Sequence, residues 1–304
     1  MNYAIIGTGA IGGYYGGCLA RVGQEVHFLF HSEYEAARKQ GLRIDSTAGN
    51  FCIQPVRAYQ DTADMPACDI VLVAIKTTSN HLLPALLKPI LKPTSLVVLI
   101  QNGLGMEADL AASLPESVSI AGGMAFICSN RIAPAHIRHL DYGKLTLGLY
   151  RGEKRLVDAL ARDLQLAGVE TAWIPDLNEA RWRKLAWNIP YNGLSVILNT
   201  STEALMNCTA TRTLVEEVMN EVLRGALACG AGIPAAFVDE MMDMTDRMRP
   251  YKPSMRLDYD NRRPMEIDTI YTRPLTEARL HGAELPHIAT LEQQLRFIQQ
   301  NYLR

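Results

Sequence analysis

The stretch NYAIIGTGAIGGYYGGCLARVG, residues 2–23, decides the fold. Tyr3 to Ile6 is a short apolar run of the kind that forms a strand. Gly7-x-Gly9-x-x-Gly12 follows, and helix-forming residues continue to about Val22, where Gly23 stops them. Strand, glycine turn and helix in that order make a cradle for phosphates. Gly7 permits the tight turn, Gly9 lets the backbone approach a pyrophosphate, and Gly12 lets the helix pack close to the strand. The helix start then offers unpaired N–H groups and a positive dipole end. Gly7, Thr8, Gly9, Ala10, Ile11 and Gly12 are therefore candidate cofactor-binding residues. A bare G-x-G-x-x-G is weak evidence; its place after a strand and before a helix makes it strong. Gly13, Gly16 and Gly17 read instead as packing residues. A helical glycine costs about 1 kcal/mol against alanine, so this density predicts close contacts.

The end of the next strand-like run, EVHFLF (25–30), bears on the choice of dinucleotide. A carboxylate there would hold the ribose hydroxyls of NAD. This chain places His31 and Ser32, with Glu33 one step later, and the missing carboxylate leans towards NADP while leaving NAD open. Ser32-x-x-Glu35 also fits a capping box. His31 is the candidate phosphate ligand, although imidazole is only partly charged near neutral pH.

Alternation continues outward. DIVLVAIK (69–76) and SLVVLIQNGLG (95–105) are apolar strands with polar ends, as buried parallel strands have. Lys76 and Asn102 stand just past those ends, where ligands of open α/β sheets collect. Three shorter runs, 119–129, 135–140 and 144–149, suggest that the sheet finishes in an antiparallel section. An amphipathic helix ended by Gly168 and a last strand, VETAWI (169–174), follow. From Asn178 the pattern is helical almost to the end, with Pro234 and Pro286 near helix starts. The Met-rich stretch 241–248 reads as core packing. The expected fold class is α/β: a Rossmann-type domain over residues 1–174 and an all-helical domain over 175–304. The cleft between them is the default ligand site.

The 304 residues suffice for two such cores, and 48% hydrophobic with 20% charged residues describes a soluble globular protein. Thirty basic against 32 acidic side chains, net charge −2, give no basic excess for nucleic acid. The apolar runs are too short to cross a bilayer. The first residues leave no room for a signal peptide, so a cytoplasmic protein is expected. Six scattered cysteines, none in a C-x-x-C pair, read as reduced thiols, and no metal site is expected.

RWRKLAWNIPYNGLSVILNTST (181–202) carries the chemistry. From Leu185 to Thr202 it has no charge, yet it keeps three asparagines. On a helix Trp182, Leu185, Ala186 and Ile189 share the core face, while Lys184, Asn188 and Asn192 form a neighbouring stripe at i, i+4 and i+8. Pro190 should kink or loosen the helix there. A buried amide without a partner costs about 1–3 kcal/mol, so the stripe reads as ligand-facing, with Lys184 as proton donor.

GTGAIG at 7–12, IQNGLG at 100–105, RWRKLAWNIPYN at 181–192, and SM (254–255) with MEID (265–268) together resemble the ketopantoate reductase family over essentially the whole chain. The resemblance implies a Rossmann domain for NADPH, a helical domain that closes over the substrate, and reduction of ketopantoate to pantoate. It implies Lys184 as general acid and Asn188, Asn192 and Ser254 as substrate-binding residues. Asn102 would lie near nicotinamide and substrate, Glu266 at the nicotinamide end and Lys76 on the adenosine side. The chain departs from the family at His31, where an arginine is common. Thr202, with Asn199 nearby, stands at the approximate place of a third asparagine, and Tyr271-Thr272 replaces an asparagine-glycine pair.

The expected partner is a small-molecule 2-keto acid, with neither nucleic acid nor membrane. The oligomeric state stays open, a homodimer among the options. Two other functions fit parts of the pattern: an NAD(P)-dependent reductase of another 2-keto acid, and a dinucleotide-binding redox sensor without turnover. The basic run RMRPYKPSMRLDYDNRR (247–263) reads as a solvated loop or as an aid in drawing an anionic substrate.

Overall fold

Alternation inside β1 (Asn2–Ile6) sets the architecture of the first half. Tyr3 and Ile5 enter one apolar cluster, Ala4 and Ile6 another, and all four are fully buried. A strand apolar on both faces must be covered on both, as parallel sheets are. α1 (Ala10–Arg21), β2 (Glu25–Leu29), α2 (Tyr34–Gln40), β3 (Leu42–Ser46), β4 (Phe51–Ile53) and β5 (Arg57–Tyr59) follow. Next come β6 (Cys68–Val73), α3 (Leu83–Leu87), β7 (Leu91–Leu99) and α4 (Met106–Ala111). Two long strands, β8 (Ser119–Ala133) and β9 (His136–Arg151), precede α5 (Lys154–Leu166) and β10 (Thr171–Trp173). The computed structural model describes residues 1–248 and 252–303. It divides into two compact units, residues 1–101 with 106–177 and residues 102–105 with 178–304.

In the first unit β5, β2, β1, β6, β7 and β8 lie side by side, all parallel. β9 then returns antiparallel along β8, β10 joins β9, and the β3–β4 hairpin continues the sheet beyond β9. The runs 135–140 and 144–149, expected as separate strands, are one strand. Tyr142 and Gly143 between them adopt left-handed backbone and the pairing with β8 shifts register nearby, so a turn-like sequence serves as a bulge.

The glycines of α1 show that the sheet curls around this helix. A Cβ on Gly16 would lie 2.6 Å from Phe28 and 2.7 Å from Ile5, on β2 and β1. A Cβ on Gly13 would strike Ile137 of β9 at 2.2 Å, and one on Gly17 would strike Ile44 of β3 at 2.3 Å. Strands from both halves of the sheet therefore press on one helix. Their packing role, expected from the sequence, is what the structure shows.

The second unit is helical: α6 (Leu177–Ile197), α7 (Thr202–Asn207), α8 (Thr209–Ala228), α9 (Ala236–Arg247), α10 (Ser254–Asp260), α11 (Arg273–Leu280) and α12 (Pro286–Tyr302), with a π-helical turn at Asp268–Thr272. Trp182, Leu185, Ala186 and Ile189 are buried in its core, and Met242 joins them from the Met-rich stretch. The start of α12 is held from afar. Fully buried Glu221 of α8 accepts from the N–H groups of His287 (3.0 Å) and Ile288 (3.3 Å), donors that have no intrahelical partner. The sequence expects a kink or loosening at Pro190, and α6 continues as helix through it. Ile189 and Tyr191 on either side are fully buried, and the Tyr271 hydroxyl donates to the Ile189 carbonyl at 2.8 Å. Packing on both flanks offsets the ~3 kcal/mol that an interior proline costs.

Candidate active site

The glycine turn is closed where it must be and open where a ligand would approach. Gly7 has φ +98°, and a Cβ there would lie 2.6 Å from the Ile75 backbone nitrogen. A Cβ on Gly12 would meet the Gly7 carbonyl at 2.3 Å, so strand and helix touch through backbone alone. A Cβ on Gly9 would meet nothing within 4 Å apart from its own chain neighbours. Thr8 is buried, and its hydroxyl donates to the Leu29 carbonyl at 2.9 Å, tying the turn to the end of β2. Gly9 caps α1 without a side-chain bond, and no acidic residue stands in the first turn with Ala10, Ile11 and Gly12. An open cradle at an uncapped, positive helix start suits a pyrophosphate.

His31 and Ser32 are exposed just past β2. The capping box expected at Ser32 does not form: α2 starts after Glu33, with no side-chain cap. Glu33 is buried instead, its carboxylate accepting from the Ala135 N–H at 2.9 Å and pairing with Arg131. Lys76, exposed, precedes a short 3₁₀ turn after β6, and its carbonyl accepts from the Ser79 N–H at 2.9 Å.

In the helical unit the stripe on α6 is real. Lys184 is half-buried, while Asn188 and Asn192 are 4% and 1% exposed. Asn102, which belongs to this unit, accepts from the Asn188 amide at 3.4 Å. Its own carbonyl accepts from the Thr269 hydroxyl at 3.2 Å, and the Leu104 N–H donates to the Thr269 carbonyl at 2.9 Å. Gly103 makes this approach possible, since a Cβ there would lie 2.4 Å from Thr269. Asn192 accepts from the Met255 N–H at 3.1 Å, which brings Ser254, the half-buried first residue of α10, beside the stripe's far end. Among the described residues three buried side-chain atoms lack a hydrogen-bond partner: Thr171 Oγ1, Trp182 Nε1 and Asn192 Nδ2. Only the last lies on the stripe. Glu266, also buried, stands just before the π-helical turn.

Tyr271 and Thr272, which replace the expected asparagine-glycine pair, have internal partners. Asn199, in the turn two residues after α6, has φ +53° and accepts from Arg256. Tyr271 is buried against α6, and Thr272 bonds Glu292 at 2.6 Å and Arg296 at 2.7 Å. Thr202 is buried at the start of α7. The basic run 247–263 is not a solvated loop throughout. Residues 254–260 form α10, and Arg256 is buried, donating to the Ser195 carbonyl at 2.8 Å and pairing with Asp260 at 2.7 Å; residues 249–251 lie outside the described residues. Arg256 is the residue that sequence reasoning passed over, although its i,i+4 spacing to Asp260 was a readable signal. Thr269 carried no such signal.

A glycine-turn α/β unit joined to a helical unit with a Lys-Asn-Asn stripe defines a dinucleotide-dependent class of protein. The family model described as ketopantoate reductase PanE/ApbA matches residues 3–152, and that of its C-terminal region matches residues 176–299. The chain is 49% identical over 303 residues to a 2-dehydropantoate 2-reductase of Nostoc sp., covering 98% of this chain and 95% of that one. The crystal structure of 2-dehydropantoate 2-reductase from Geobacter metallireducens is 38% identical, with TM-score 0.94, covering 97% of this chain and 99% of that chain. The enzyme from Methylococcus capsulatus is 31% identical with TM-score 0.91, covering 100% and 98%. The chain belongs to the ketopantoate reductase family. Among the described residues no helix is long and apolar enough to cross a membrane.

Proposed function

We propose that the chain is a cytoplasmic 2-dehydropantoate 2-reductase, reducing ketopantoate to pantoate with NADPH. The observation that carries the reading is the stripe on α6, where a buried, unpartnered amide nitrogen of Asn192 stands two turns beyond half-buried Lys184. A donor kept without a partner suits a ligand oxygen. The family match supports the substrate, and the open turn above Gly9 supports the cofactor.

Gly7, Thr8, Gly9, Ala10, Ile11 and Gly12 hold the pyrophosphate, with His31 and Lys76 on the adenosine side. Bound NADPH supplies the hydride to the keto carbon. Lys184 gives its proton to the carbonyl oxygen as that oxygen gains charge, a step worth about 10²–10⁴ in rate. Asn188, Asn192 and Ser254 orient the carboxylate and hydroxyl of the keto acid, with Asn102 held ready by Asn188 and Thr269. Glu266 closes the nicotinamide end.

Oxidation of NADPH and NADH, followed optically with ketopantoate and a panel of other 2-keto acids, tests this. Fast turnover with ketopantoate and NADPH is the expected result. Turnover confined to another acid would keep the mechanism and refute the substrate. Cofactor binding without any turnover would leave a sensor.

A further inference from the structure

Glu33 follows the end of β2, where a dinucleotide enzyme reads the adenosine ribose. A carboxylate here would favour NAD. Yet Glu33 faces inward, its side chain only 10% exposed, accepting from the Ala135 N–H at 2.9 Å and pairing with Arg131. Arg131 reaches it from β8, far along the chain, because the sheet curls around α1.

The neighbours of Arg131 place its guanidinium. Ser129 lies two residues earlier on the same regularly paired segment of β8, hence on the same face. The Ser129 hydroxyl donates to the Ala10 carbonyl at 3.2 Å, at the start of α1. That face of β8 therefore borders the glycine turn, and Arg131 extends from it to the residues after β2. Its side chain is 45% exposed, and a guanidinium has five N–H donors, more than one carboxylate takes up. Exposed His31 stands two residues from its partner.

We infer that Arg131 sets the cofactor preference of this chain: it withholds the Glu33 carboxylate from the ribose hydroxyls and offers its remaining donors to the 2′-phosphate of NADPH. The inference rests on the reading of the glycine turn as the NADPH site. A planar, permanently charged fork suits a phosphate better than the imidazole of His31 does. The role that an arginine beside the second strand performs in other NADP-binding folds passes here to a residue from the β8–β9 hairpin.

Equilibrium titration of the whole protein with NADPH, NADH, 2′,5′-ADP and 5′-AMP tests this without turnover. Wild-type protein should prefer NADPH over NADH and 2′,5′-ADP over 5′-AMP. Arg131→Ala should remove about tenfold or more of both preferences, the loss expected for charge-assisted hydrogen bonds. Its NADH affinity should hold or improve. Glu33→Gln breaks the same ion pair but leaves the guanidinium, so it should keep the preference for the 2′-phosphate. Equal loss in both variants would make the pair merely structural and overturn the assignment, as would no loss in Arg131→Ala. A wild type that prefers NADH would also overturn it. Wild-type protein that binds no dinucleotide would refute the reading of the glycine turn itself.

Discussion

The side-chain oxygen of Asn192 accepts the Met255 N–H at 3.1 Å, while its amide nitrogen, equally buried, has no partner. One half of the amide thus fixes the start of α10, which carries Ser254. The other half forgoes about 1–3 kcal/mol of stability.

Asn192→Ala should raise KM for the keto acid about tenfold or more, because one oriented hydrogen bond to a charged ligand is lost. NADPH affinity should stay unchanged. The Met255 N–H loses its acceptor at a cost of about 1–2 kcal/mol, while removal of the unpartnered amide nitrogen returns a similar amount, so the urea midpoint should change little. Steady-state kinetics with a denaturation curve reads both, and an unchanged KM would remove Asn192 from substrate binding.

Lys184→Ala should lower kcat by about a hundredfold or more while NADPH still binds. Rapid mixing with saturating keto acid and cofactor measures the loss in the chemical step. A near-normal kcat would assign the proton to another donor.

Gly9→Ala and Gly12→Ala should separate binding from folding. A Cβ on Gly9 meets nothing within 4 Å apart from its own chain neighbours, so thermal stability should hold while NADPH binding weakens. A Cβ on Gly12 meets the Gly7 carbonyl at 2.3 Å, and backbone cannot step aside as a side chain can. That variant should melt earlier as well. Equal melting temperatures for the two would contradict the contact.

Thiol labelling near neutral pH should reach Cys208 first. Exposed at the start of α8, it has its thiol pKa lowered by the N–H and hydroxyl of Thr211 and the N–H of Ala210, which favours the reactive thiolate. Burial pushes the Cys18 thiol up to about 11 and Cys68 to about 12, so both should resist until the chain unfolds. Timed iodoacetamide labelling with peptide mass analysis checks the order.

Much of the fold was legible because it is local. The glycine turn, the apolar cores of the strands that form Cys68–Val73 and Leu91–Leu99, and the apolar face of α6 follow from backbone periods that a sequence displays directly, although the run expected as strand to residue 105 stops at Leu99. The long β9 was not, since Asp141-Tyr142-Gly143 has turn chemistry and only pairing with β8 makes it a bulge. Ser32 looked like a cap, yet the helix begins after Glu33, whose carboxylate is held by the β8–β9 turn. Pro190 sits inside α6, and the helix continues through it with Ile189 and Tyr191 buried on either side.

By itself the sequence determined the strand–glycine turn–helix at the start, the change from mixed α/β to helical segments and the spacing of Lys184, Asn188 and Asn192. Only the tertiary structure decided what those residues meet. Asn102 joins the helical unit and reaches Asn188 across 86 positions, and Met255 closes on Asn192 across 63. The physical reason is one of range. Periodicity fixes neighbours within a helix or strand, whereas a contact between distant residues exists only once the intervening chain has packed and carried both side chains to one place.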